Sequence, residues 1–199
     1  MAFTTGEKLM IAMLCDLAKA PKDRELDFDF IWDSVSNDDA WALDWRYSGL
    51  QLNENTPPEV RGVADLLDMW DVLERSFEAL PPPEQKRVTS EPAVLGSVKF
   101  VGFDGNNETR LMHIARVFTG KLDRWVRFKD RDLNSHAPSI DAYERMRNVY
   151  KPIWDAKIKS SGGYDLSADQ IIAVMRERVH PENRVPGPGA TWTLKPLKP

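Results

Sequence analysis

A single cysteine, Cys15, among 199 residues excludes an internal disulfide and any zinc site built from several thiolates. The three histidines, His113, His136 and His180, lie far apart, so the spacing by which neighbouring imidazoles share a metal ion is missing. No apolar run approaches the ~20 residues that a bilayer-spanning helix needs. The opening Met-Ala-Phe-Thr-Thr-Gly-Glu has neither a basic n-region nor a small-residue cleavage site. These absences point to a cytoplasmic address, no membrane partner, no metal and no cofactor. Phosphate-binding loop, dinucleotide fingerprint and nucleophile-elbow signatures are missing, and no repeat recurs at a solenoid period. Asp27, Asp29, Asp33, Asp38, Asp39 and Asp44 are numerous enough to hold a cation. They lack the alternating ladder, central glycine and final glutamate of a calcium loop, and most read as helix-start or solvent-facing charge.

What is present is an ordinary globular composition, 42% hydrophobic and 29% charged, in a chain long enough for one substantial core or two small lobes. Seven tryptophans require housing in the core or at an interface. The net charge of -4 conceals a division. Residues 1–80 hold 7 Lys/Arg against 17 Asp/Glu, and residues 81–199 hold 20 against 14. Such a split can bring two lobes or two copies together, or draw an anionic partner to one half.

The periodicity predicts an all-α protein, an irregular bundle of about seven helices with a Pro-rich C-terminal tail. Thr4 and Glu7 form a capping box before the apolar stripe Met10, Met13, Leu14 and Leu17, with Leu9 at its flank and Pro21 as terminator. Two short helices fit residues 25–47, the second capped by Asn37. The clearest helix runs from Pro57 to about Leu80, started by Thr56-Pro57-Pro58-Glu59 and stopped by Pro81-Pro82-Pro83. Residues 81–98 read as a polar connector, with room for a helix around Glu84–Val88, and Val98–Phe103 as a short extended piece. Asp104 caps a helix that Gly120 ends. Pro138 opens another, in which Pro152 predicts a kink or break. Ser167-Ala168-Asp169-Gln170 is a second capping box. The domain division expected is one helical domain over 1–180, with lobes of about 1–80 and 99–180, and a tail over 181–199.

Phe100-Val101-Gly102-Phe103-Asp104, followed by Glu108, Arg110 and Arg116, resembles the Phe-x-Gly-Phe-Asp region of the bacterial YfbU family. The likeness continues through Arg124, Phe128, Asn134, Pro138, Tyr143-Glu144-Arg145-Met146, Asn148 and Val149, and through Leu166–Ile172. It is closest over 99–175 and looser over 4–80, while the connector and the tail depart from it. The resemblance implies a multihelical cytoplasmic bacterial protein and names no activity.

The candidate ligand-binding residues are Asp104, Glu108, Arg110, Arg116, Arg124, Tyr143, Arg145 and Asn148, since gathered arginines can take phosphate or carboxylate bidentately. The plainer reading is an ion-pair network tying the helices of 99–150 together. His113, within a turn of Arg110 and Arg116, is the one candidate base, with Glu108 as its acid; no adjacent nucleophile completes a mechanism. Lys121–Asp132 interleaves Trp125 and Phe128 with cations in the manner of a single-strand binder, but Asp123, Asp130 and Asp132 dilute its charge. Trp125, Phe128 and Trp192 are the candidate interface residues. The leading expectation is a non-enzymatic interaction or regulatory module that self-associates, a dimer being the simplest form. The alternative is a nucleic-acid or phosphate-ligand binder using the arginines of 104–148.

Overall fold

The computed structural model describes residues 3–18, 26–50, 56–94, 97–160, 163–186 and 192–194. The fold is all-α. Its helices are α1 (Thr5–Leu17), α2 (Phe28–Ser36), α3 (Trp41–Arg46), α4 (Pro58–Ala79), α5 (Pro82–Thr89), α6 (Thr109–Arg116), α7 (Ile140–Ser160) and α8 (Ala168–Arg176). Pro21, Gly96 and Pro188 lie outside the described residues.

The long helix α4 stands at the centre, with α6, α7 and α8 packed around it. Its stripe Val60, Val63, Leu66, Leu67, Trp70 and Leu73 is closed off from solvent, as apolar residues recurring every three or four positions on a core helix must be. Pro57 precedes α4 without any side-chain cap, so the Thr56 cap does not form. At the other end Leu80 turns extended and Pro81 follows, so α4 stops and α5 starts at Pro82. The connector is therefore largely helical, and Val88, Ala93, Val94 and Val98 from it are buried.

On one side α1 packs against α2, and α2 against α3. Thr4 and Glu7 form their capping box, with the Thr4 amide donating to Glu7 Oε2 at 2.7 Å and the Glu7 amide to Thr4 Oγ1 at 3.3 Å. Asp27 caps α2 by accepting from the Phe30 amide. Asn37 ends α2 rather than starting α3. On the other side α8 packs on α5 and α7, and Ser167 with Gln170 completes the second capping box. Helix α7 carries on past Pro152, so no break occurs there.

Two expected boundaries move. Asp104 makes a turn with the Asn106 amide, and α6 begins only at Thr109. Gly120 does not end that helix; a π-helical turn, Val117–Lys121, carries it on. The Leu122 amide donates to Val117 O and the Arg124 amide to Phe118 O. Asp123, at φ +50°, takes the left-handed position that glycine usually fills at a helix end. Beyond α8 the tail is not wholly irregular. β1 (Arg184–Pro186) pairs antiparallel with β2 (Trp192–Leu194). Arg184 anchors this ribbon with a two-pronged pair to Glu177 at 3.0 and 2.7 Å.

Candidate functional site

The Phe100–Asp104 segment runs extended past Leu133–Ser135. The Phe103 amide donates to Leu133 O, and the Ser135 amide to Phe103 O. Phe100 and Phe103 are buried against each other and against Tyr143. The Tyr143 hydroxyl donates to Gly102 O at 2.9 Å; burial raises its pKa well above the ordinary phenol value.

Beside it, Glu108 is 7% exposed and accepts four hydrogen bonds. They come from the amides of Asp104, Ser139 and Ile140 and from the Ser139 hydroxyl, at 2.7–2.9 Å. Burial pushes its pKa up, but these donors together hold the carboxyl below its usual range. The Asn106 amide and the Asn107 side chain do the same for Asp104. Asp104, Glu108 and Tyr143 are thus brought together in one knot whose lone pairs point inward.

The arginines turn to separate partners. Arg110 Nη1 reaches Asp39 at 2.9 Å, Arg116 reaches Asp132 at 3.8 Å and Arg145 Nε donates to Glu177 O. Arg124 and Asn148 are exposed. Arg127 pairs with Asp71 and Glu78. Arg124 and Arg127 share one open groove with Asp71 and Asp123, and Arg110, Arg116 and Arg145 are not part of it.

Asp39, read above among the solvent-facing acids, is instead 1% exposed. It accepts from Arg110, from Trp41 Nε1 at 3.2 Å and meets His113 Nε2 at 2.5 Å. A carboxylate buried this deeply needs such compensation, and this one fastens the α2–α3 turn to α6. The clue available in the chain was the abrupt change from Asn37-Asp38-Asp39 to the apolar Ala40-Trp41-Ala42. His113 is therefore engaged with Asp39, and Glu108 with its own four donors, so the two do not form an acid–base pair.

The basic segment 121–132 is bolted along α4. Trp125 Nε1 donates to Asp68 at 2.8 Å, Arg127 holds Asp71 and Glu78, and Arg131 makes a two-pronged pair with buried Glu74 at 2.8 and 2.7 Å. Glu74 also accepts from the Phe100 amide. Trp125 packs edge-on against Phe118 at 5.0 Å, and Phe128 is fully buried. The aromatic–cation interleaving thus serves an internal clamp, and the opposite charges of the two halves meet inside one molecule. For Asp68, burial and then the neighbouring Asp65 and Asp71 raise the pKa, against the Trp125 hydrogen bond. A raised carboxyl stabilises the fold below the ordinary carboxylate range and loses that contribution as pH rises through its folded value. Asp68→Asn keeps an acceptor for Trp125, so melting at pH 7 should rise by about 1–2 °C, with the gain fading towards pH 4.

What remains turned outward is α1. Leu9, Met10, Met13, Leu14 and Leu17 are 58–79% exposed, whereas Ile11 and Cys15 face the core. At 100° per residue the five exposed side chains cover an arc of about 140°, and the seated residues the opposite arc. The helix is apolar on both sides, the pattern of a buried helix, but only one side is covered. Among the described residues, no group of three His, Cys, Asp or Glu side chains is placed to hold a metal ion. None of their helices is long and apolar enough to cross a membrane.

The YfbU domain model matches residues 4–176. The chain belongs to the YfbU family. UPF0304 protein MJECS11 of Methanocaldococcus jannaschii is similar to it, at 26% identity over 129 residues, covering 59% of this chain and 68% of that one. The YfbU match begins at the α1 capping box and ends with the last residue of α8, so the β1–β2 ribbon lies beyond it. The side chain of Trp192 lies outside the described residues.

Proposed function

We propose that this YfbU protein is a non-enzymatic interaction module that self-associates, with the outer face of α1 as its docking surface. The observation that carries this reading is the exposure of five large apolar side chains on one helix. They present roughly 600 Å², as much as the largest apolar patch of a typical monomer, about 300–600 Å². Large patches of this kind mark interaction sites. The other polar groupings support the same reading, because the knot at Glu108, the Asp39 node and the α4 clamp spend their charges on internal partners.

Leu14 is 64% exposed, so an aspartate there costs the isolated fold little. Leu14→Asp should leave the melting temperature of the isolated monomer within about 2 °C of the native monomer's and remove most binding of an apolar dye such as ANS. Unchanged dye binding would show that α1 is not the sticky surface. The binding of anions by the arginines of 104–148 is the less favoured reading, since Arg110, Arg116 and Arg127 already hold carboxylates.

A further inference from the structure

Resting on the docking role just assigned to α1, we infer that the surface it meets is the same helix of a second copy, antiparallel about a two-fold axis through Met13. Three observations lead there.

The first is the lack of a matching receptor elsewhere. Among the described residues the other exposed large apolar side chains are Trp32, Val101, Val126, Ile158 and Tyr164. Trp32, Val101 and Val126 sit singly on different elements, and Ile158 and Tyr164 flank Trp154, a smaller apolar group than the five side chains of α1. An open head-to-tail contact between α1 and another face would also leave one α1 uncovered at one end of the assembly, whereas a two-fold contact covers both α1 faces at once and closes.

The second is area. A stable interface takes about 800 Å² from each partner. The roughly 600 Å² on α1 supplies about three-quarters of that from one helix. The two methionines, Met10 and Met13, are the side chains best able to mould themselves to a copy of their own surface.

The third is direction. Met13 lies at the middle of the exposed run and near the centre of its arc. Pairing about it sets Leu9 against Leu17 of the second copy, and the exposed Glu7 carboxylates move to opposite ends. A parallel pair would bring the two Glu7 side chains to the same end and align the helix dipoles unfavourably. The seated side of α1 is held by Lys8, whose Nζ reaches Asp38 at 2.6 Å, so the helix can dock without leaving its own body.

The test combines light scattering with thiol crosslinking on the full chain in a Cys15→Ala background. The native protein at tens of micromolar should show twice the mass of one chain, independent of salt. Leu14→Asp should weaken association by at least about 100-fold. Met13→Cys should form an intermolecular disulfide on mild oxidation. Leu17→Cys should not, because its mate stands about 12 Å away along the antiparallel pair.

A dimer that survives Leu14→Asp would overturn the α1 contact. Equal crosslinking at positions 13 and 17 would overturn the antiparallel arrangement. A monomer at every concentration whose α1 still binds dye would overturn the second copy while leaving α1 as a docking face. A monomer without dye binding would remove both readings.

Discussion

Alanine at position 102 should leave the protein largely unfolded at 37 °C. Gly102 sits at φ +91°, and a Cβ there would stand 2.0 Å from Leu133 O and 2.1 Å from its carbonyl carbon. Those atoms are backbone and cannot swing aside. The left-handed conformation alone costs a non-glycine residue on the order of 1–3 kcal/mol. Relieving the clash means parting Phe103 from the 133–135 segment, which breaks the bond from the Phe103 amide to Leu133 O and that from the Ser135 amide to Phe103 O. It also displaces the carbonyl that receives the Tyr143 hydroxyl. The total should exceed about 4 kcal/mol, a large share of the 5–15 kcal/mol that holds a typical domain together. Urea unfolding followed by far-UV circular dichroism reads it directly. A loss within about 1 kcal/mol would mean that the 133–135 segment moves freely and that the close approach is not part of the fold's support.

Glu108→Gln should cost on the order of 3 kcal/mol at pH 7, although it changes one atom. Three of the four groups around the carboxylate are backbone amides, which can only donate, and each oxygen faces at least one of them. An amide nitrogen in place of either oxygen therefore sets donor against donor in a buried place. The effect depends on pH in a defined direction. Because the folded carboxyl lies below the ordinary value, its contribution is complete above the unfolded value of about 4.3 and disappears as pH falls through the folded one. Unfolding midpoints of the native and Glu108→Gln proteins should lie far apart at pH 7 and converge in acid. An offset that stays constant down to pH 3 would assign the acid sensitivity to other carboxylates.

The helices were legible where local chemistry decides the outcome. Both capping boxes, the Pro57-Pro58 start of α4 and its Pro81 stop are governed by residues within four positions of one another, and they stand where periodicity places them. The misread positions depend on partners far along the chain. Gly120 has the composition of a terminator, but the π-helical turn carries the chain past it and leaves the left-handed position to Asp123. Asp39 looks like its neighbour Asp38 until Arg110 and His113 arrive, more than 70 positions later. Gly102 gives no local sign that Leu133 needs its space.

The candidate site was legible in part. Asp104, Glu108 and Tyr143 do meet, and the sequence shows that they are polar residues with work to do. Whether their lone pairs face inward or outward depends on Ser139 and Ile140, over 30 positions away. The α1 stripe was evident as apolar, but spacing cannot say which of two apolar arcs will be covered. The division of charge could equally have drawn two molecules together; it is the geometry of Asp68, Asp71, Glu74 and Glu78 against Trp125, Arg127 and Arg131 that makes it internal.

That row of contacts governs how the structure breathes. Asp68, Asp71, Glu74 and Glu78 sit on one rigid helix, and their partners sit on one short stretch of chain. Lifting Trp125 strains Arg127, and lifting Arg127 strains Arg131, whose partner Glu74 also holds the Phe100 amide. Residues 122–133 therefore cannot peel away one at a time. Their amides should exchange with solvent as a single cooperative block, at the rate at which the whole segment parts from α4.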